Sequence, residues 1–194
     1  QITFNTSLGI TATIDGGSGN DAVTGSQHED TVRLTEVENV TSGDGNDVVT
    51  ITDSKLSVAD LGDGDDKLTL LAATDAILTG VETIVGSGAN DDLVVTDGDL
   101  KSANLGGGSD RLEVQGATTA TLTGVETLVG SNGNDDFTVT DGDLVSANLG
   151  TGEDRLAVQG ATIATLTGVE TLVGSDGNDD FTVTDGELKS ANLG

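Results

Sequence analysis

Eight aspartates each close a glycine- or acid-rich corner along this chain: Asp21, Asp47, Asp66, Asp91, Asp110, Asp135, Asp154 and Asp179. Their intervals are 26 residues, then 19 and 25 in strict alternation. Carboxylates set beside glycines put hard oxygen donors next to exposed backbone carbonyls. That donor set suits a hard divalent cation, and calcium takes roughly six to eight oxygens at about 2.3–2.6 Å. The candidate ligands are the eight aspartates, the corner glycines Gly17, Gly19, Gly43, Gly45, Gly62, Gly64, Gly106, Gly108, Gly133, Gly152 and Gly177, and the auxiliary Asp44 and Asp63. Asx side chains also close such turns without metal, so each single corner admits both readings.

Charge favours the cation. The 194 residues hold 34 acidic and 7 basic side chains, for a formal net charge of −27. Aspartates stacked one β-spacing apart, about 4.8 Å, repel by roughly 1 kcal/mol in water and about 3–4 kcal/mol at an effective dielectric near 20. A divalent ion between adjacent corners turns that repulsion into coordination, and several ions per chain are expected.

The elements that must position these corners are short strands. Apolar residues stand at +2 and +4 from the corner aspartates, as in Val49/Ile51, Leu68/Leu70, Leu93/Val95, Leu112/Val114, Phe137/Val139, Leu156/Val158 and Phe181/Val183. Period two means a strand with one buried face. A second strand family reads VETIVG at 81–86 and VETLVG at 125–130 and 169–174, with VSANLG or KSANLG at 101–106, 145–150 and 189–194. Residues 117–150 and 161–194 differ at only four of 34 positions, so the chain is a tandem array with a 44-residue period. We expect one all-β parallel β-solenoid over 1–194, with approximate repeats 1–46, 47–90, 91–134, 135–178 and a partial 179–194. The 19/25 alternation predicts two unequal coils per repeat, the longer one carrying TATLTG, in a flattened two-sheet roll with room for a third strand. Turns such as TDGDL at 96–100 and 140–144 are expected opposite the aspartate corners. Asn104, Asn148 and Asn192 suggest a stacked amide ladder, with Asp60 in the first copy, which starts around Ile10. Thr118, Thr119, Thr121 and Thr123 read as a β-branched strand face.

The corners GGSGND, SGDGND, LGDGDD, GSGAND, LGGGSD, GSNGND, LGTGED and GSDGND resemble the calcium-binding nonapeptide G-G-x-G-x-D-x-U-x of repeats-in-toxin (RTX) proteins, U being apolar. GGSGNDAVT, residues 16–24, fits that pattern in full, while the other corners lose one or more glycines. The resemblance spans nearly the whole chain and implies a β-roll with calcium held by the motif aspartate and by carbonyls of two stacked turns. It also implies export by type I secretion and calcium-driven folding outside the cell. RTX rolls advance by nine or eighteen residues, and the spacing here departs from that.

Composition excludes several classes. Without Cys there are neither disulfides nor thiolate metal sites, and His28 alone cannot build a multi-histidine site. No apolar run is long enough for a membrane span, and a polyanion repels nucleic acid. Nothing suggests a catalytic pair, so no enzymatic activity is expected of these residues. The expected role is a calcium-rigidified structural repeat of a large secreted bacterial protein: a surface layer, an adhesin stalk or a matrix filament. The alternative is the calcium-dependent folding and secretion module of an exported enzyme. With Gly194 standing where a further corner would begin, the solenoid is expected to continue or to self-associate.

Overall fold

The computed structural model describes residues 1–3 and 11–194; residues 4–10, which include the start of the first repeat at Ile10, lie outside the described residues. The described residues form 22 short strands and no helix. Consecutive strands alternate between two parallel sheets of eleven strands each, so every coil lends one strand to each sheet. The result is a parallel β-solenoid, as the spacing predicts, and it has about 10 turns.

The alternation rule explains the core. In strand Asp92–Val95, Leu93 and Val95 point inward and stack on Leu112 and Val114 of the next coil. The column runs on through Leu128, Ala147 and Leu166, all buried. Phe137 is the largest of the fully buried side chains. Each buried Leu, Val or Phe contributes about 1.5–3 kcal/mol, and this single apolar layer between two narrow sheets serves as the whole core. Phe181 and Val183, in the last coil, are only partly covered.

The partition of the repeat differs from the expectation of two unequal coils. Residues 92–135 hold five strands, Asp92–Val95, Ser102–Asn104, Arg111–Val114, Thr119–Thr123 and Thr127–Val129, which amounts to two and a half coils. The segment TATLTG adds no third side to the roll; it is the regular strand Thr119–Thr123 within one of the two sheets. An odd number of strands per repeat has a direct consequence. Strand Asp92–Val95 lies in one sheet, its copy Asp136–Val139 in the other, and Asp180–Val183 in the first again. The same phase removes the expected amide ladder. Asn104 pairs with Val85 and Thr123, whereas Asn148 sits in the opposite sheet beside Val129 and Thr167.

Candidate functional site

The turns line the two long edges of the roll. Turns leading into the sheet that contains Asp92–Val95 form the first edge, and turns leading into the other sheet form the second. The phase of the repeat deals the corners out in alternation. Asp21, Asp91, Asp110 and Asp179 stand on the first edge, and Asp47, Asp66, Asp135 and Asp154 on the second. The TDGDL turns lie across the coil from their own corners, as expected, yet share an edge with the corners of the neighbouring repeats. A ninth corner, GSQHED, ends at the buried Asp30 on the second edge.

Within each edge the acids form short islands in which a carboxylate of one coil accepts a backbone N–H of the coil before. On the second edge the N–H groups of Asp30, Asp47 and Asp66 donate to Asp47 Oδ1 (2.7 Å), Asp66 Oδ1 (2.6 Å) and Glu82 Oε2 (2.6 Å). On the first edge Thr74, Asp91 and Asp110 donate to Asp91, Asp110 and Glu126 at 2.8, 2.7 and 2.6 Å. The series returns on the second edge as Thr118, Asp135 and Asp154 donating to Asp135, Asp154 and Glu170 at 2.8, 2.8 and 2.7 Å. Asp21 donates to Glu38 at 2.7 Å and Thr162 to Asp179 at 2.9 Å. Glu38 and the VET glutamates Glu82, Glu126 and Glu170 therefore cap the islands, a role hidden by reading the VET segments only as strands.

The second carboxylate oxygen divides the corners into two classes. Where Ser stands four residues before the aspartate, its N–H reaches Oδ2: Ser26 to Asp30 (2.7 Å), Ser87 to Asp91 (2.9 Å), Ser131 to Asp135 (2.8 Å) and Ser175 to Asp179 (2.8 Å). Where Gly stands there, Oδ2 is buried with no hydrogen-bond partner among the described residues: Asp21, Asp47, Asp66, Asp110 and Asp154. The glycines concerned, Gly17, Gly43, Gly62, Gly106 and Gly150, all have positive φ. Three of them turn their N–H to a local Asx side chain instead, Gly17 to Asp15, Gly106 to Asn104 and Gly150 to Asn148. A buried carboxylate oxygen without a partner costs free energy as an ion. Burial accordingly raises the carboxyls of Asp47, Asp110 and Asp154 above their usual range and pushes Asp66 up to about 6. Glu82 is raised by the same cause.

The glycine corners also bring carbonyl oxygens close. A Cβ on Gly62 would lie 2.0 Å from the Gly43 carbonyl oxygen, and one on Gly150 would lie 1.9 Å from that of Ser131. Backbone oxygens of one corner thus fill the space a side chain would take in the next. Among the described residues no three acidic or histidine side chains converge to hold a metal by themselves. A cation at these corners would take one or two carboxylates and complete its shell with such carbonyls, which is the donor chemistry that calcium accepts. The unpartnered oxygens and the carbonyl cradle fit that group at the Asp47, Asp66, Asp110 and Asp154 corners, whereas Gly17 at the Asp21 corner has nothing within 4 Å of an added Cβ. Of the other candidate ligands, Gly45 and Gly133 are half-buried; Gly19, Gly64, Gly108, Gly152, Gly177, Asp44 and Asp63 line the exposed rim of the turns.

Compared with known proteins, the chain matches no family model, no curated protein and no solved structure. Fold and site define a parallel β-solenoid repeat with buried aspartate stacks on both edges.

Proposed function

We propose that this chain is a non-enzymatic structural repeat that calcium rigidifies, several ions being held at the glycine-type corners. One observation carries the reading: five carboxylate oxygens, on Asp21, Asp47, Asp66, Asp110 and Asp154, are buried without a hydrogen-bond partner among the described residues. A divalent cation supplies each with the charge and ligand bond that the protein itself lacks. A net charge of −27 supports the same reading, since folding concentrates that charge on a narrow rod. A chain that neutralises itself only with external calcium suits a compartment rich in that ion, so the proposed setting is the bacterial surface or the extracellular space. There the rod would serve as a spacer in a surface layer, a stalk or a filament.

The test is calorimetric titration of the chelator-treated chain with calcium, with circular dichroism followed in parallel. Several ions should bind per chain and the β signal and melting temperature should rise. Identical spectra and melting with chelator and with millimolar calcium would sink the proposal.

A further inference from the structure

On the second edge two glycine-type corners stand on successive coils. Asp47 and Asp66 directly precede the register partners Val48 and Lys67, so the two aspartates stack at one strand spacing. Their carboxylates hang the same way: Asp47 Oδ1 accepts the N–H of Asp30, and Asp66 Oδ1 accepts that of Asp47. The residues are 0% and 1% exposed, and neither Oδ2 has a hydrogen-bond partner among the described residues. The Ser42 hydroxyl beside Asp47 donates to the Leu61 carbonyl at 2.8 Å instead. Like orientation at like positions sets the two free Oδ2 atoms about 4.8 Å apart.

No other step among the described residues repeats this pairing. Asp110 stacks on Asp91, whose Oδ2 already accepts the Ser87 N–H at 2.9 Å and lies 3.2 Å from the Ser87 hydroxyl. Asp154 stacks on Asp135, whose Oδ2 is held by Ser131 in the same way, at 2.8 and 3.2 Å. Asp30, on the coil before Asp47, has its Oδ2 taken by the Ser26 N–H, and Asp21 stacks on its cap Glu38. Basic residues on the rim do not set the steps apart. Lys101 and Lys189 are each paired with an exposed acid, Asp65 and Glu153, and those charges cancel. The difference lies in the second carboxylate oxygen alone.

We propose that Asp47 and Asp66 form a two-carboxylate cation site, which takes calcium before any other corner and discriminates against magnesium. An ion midway between oxygens about 4.8 Å apart lies about 2.4 Å from each. That falls within the calcium–oxygen range of about 2.3–2.6 Å and exceeds the roughly 2.0–2.1 Å that magnesium demands. The Gly43 carbonyl oxygen, in the space a Cβ on Gly62 would take, is a further donor between the same two corners. At the Asp91–Asp110 and Asp135–Asp154 steps an ion would have to displace a serine N–H from the second carboxylate, which costs about tenfold in affinity. The inference rests on the calcium reading above and adds to it an order of filling and a choice of ion.

The experiment is calorimetric titration of the chelator-treated full chain with calcium and, separately, with magnesium. The first ion is located by anomalous scattering from wild-type crystals grown at limiting calcium, which decides the matter even if a variant fails to fold. A single ion per chain should form the tightest class and lie between Asp47 and Asp66, and magnesium should bind there at least about tenfold more weakly. Asp47→Asn keeps an acceptor for the Asp30 N–H and should abolish the tightest class while the β signal in circular dichroism persists. Asp110→Asn and Asp154→Asn should each spare that class and remove a weaker ion. In a chain that binds calcium, a first ion at Asp110 or Asp154, equal affinity for magnesium, or a tightest class that survives Asp47→Asn overturns this inference alone. A wild-type chain that binds no calcium overturns the proposed function with it.

Discussion

Asp154 Oδ1 accepts the backbone N–H of Asp135 across one coil at 2.8 Å, while Asp154 Oδ2 is buried with no partner among the described residues. One carboxylate thus joins two coils and carries an unmet demand for positive charge. The two halves separate by mutation. Asp154→Ala strands the Asp135 N–H and should cost about 1–3 kcal/mol with or without calcium. Asp154→Asn keeps an acceptor for that N–H and removes the buried charge. It should raise the melting temperature in chelator and lose part of the calcium-induced rise, both read by thermal melts.

The pH dependence has a definite sign. Asp47, Asp110, Asp154 and Glu82 are raised by burial, and Asp66 to about 6, against about 4 for an unfolded carboxyl. Between those values the folded chain binds more protons than the unfolded one. The stabilisation is therefore complete below the unfolded value and is lost as pH rises through the folded one. In chelator the chain should melt at higher temperature at about pH 5 than at about pH 8. Saturating calcium should shrink that difference, because the ion takes the place of the protons. A calcium-free melting temperature that climbs from acid to neutral pH would contradict the assignment.

Gly62 tests the corner backbone. Its φ of 88° is left-handed, and an added Cβ would meet the Gly43 carbonyl oxygen at 2.0 Å. Gly62→Ala should cost about 1–3 kcal/mol. Gly88, in an equally glycine-rich corner, has nothing within 4 Å of an added Cβ. Gly88→Ala should change stability by no more than about 0.5 kcal/mol. Equal effects in denaturant unfolding would mean that the corners are not in close contact.

Much of the fold was legible in the residues. The apolar pairs at +2 and +4 from each aspartate, such as Leu112 and Val114, define one inward face, and the solenoid follows from their recurrence. The two classes of corner were also written in the chain, as Ser131 or Gly150 four residues before the aspartate, but their meaning needs the direction of an N–H. The coil count was not legible because three of the five turns per repeat, at 96–101, 115–118 and 124–126, carry no aspartate-corner signal. The turn at 124–126 has only three residues and the turn at 115–118 four, and none of the three ends in aspartate. One corner and one opposite turn per coil accounts for four turns, and the fifth makes two coils into two and a half. Asp30 lacks the corner signature for a related reason, since GSQHED has only its first glycine to mark it.

The half-coil phase can be tested chemically, because the chain contains no cysteine to interfere. Asn104 and Thr123 are register partners on adjacent parallel strands, with side chains on the outer face of one sheet. Neighbouring strands lie about 4.8 Å apart, inside the Cα range of about 4.4–6.8 Å that a disulfide spans. Asn104→Cys with Thr123→Cys should therefore close a disulfide on mild oxidation, seen as a gain in melting temperature that reductant reverses. Asn104 and Asn148 hold equivalent places in successive repeats but lie in opposite sheets, with the apolar core between them. Asn104→Cys with Asn148→Cys should resist both oxidation and a thiol-bridging reagent of about 10 Å span within one chain. If the repeat were two whole coils, Asn104 and Asn148 would share a sheet two strand spacings apart, about 9.6 Å, too far for a disulfide but within reach of that reagent. Efficient intramolecular bridging of that second pair would contradict the half-coil phase and the alternation of edges.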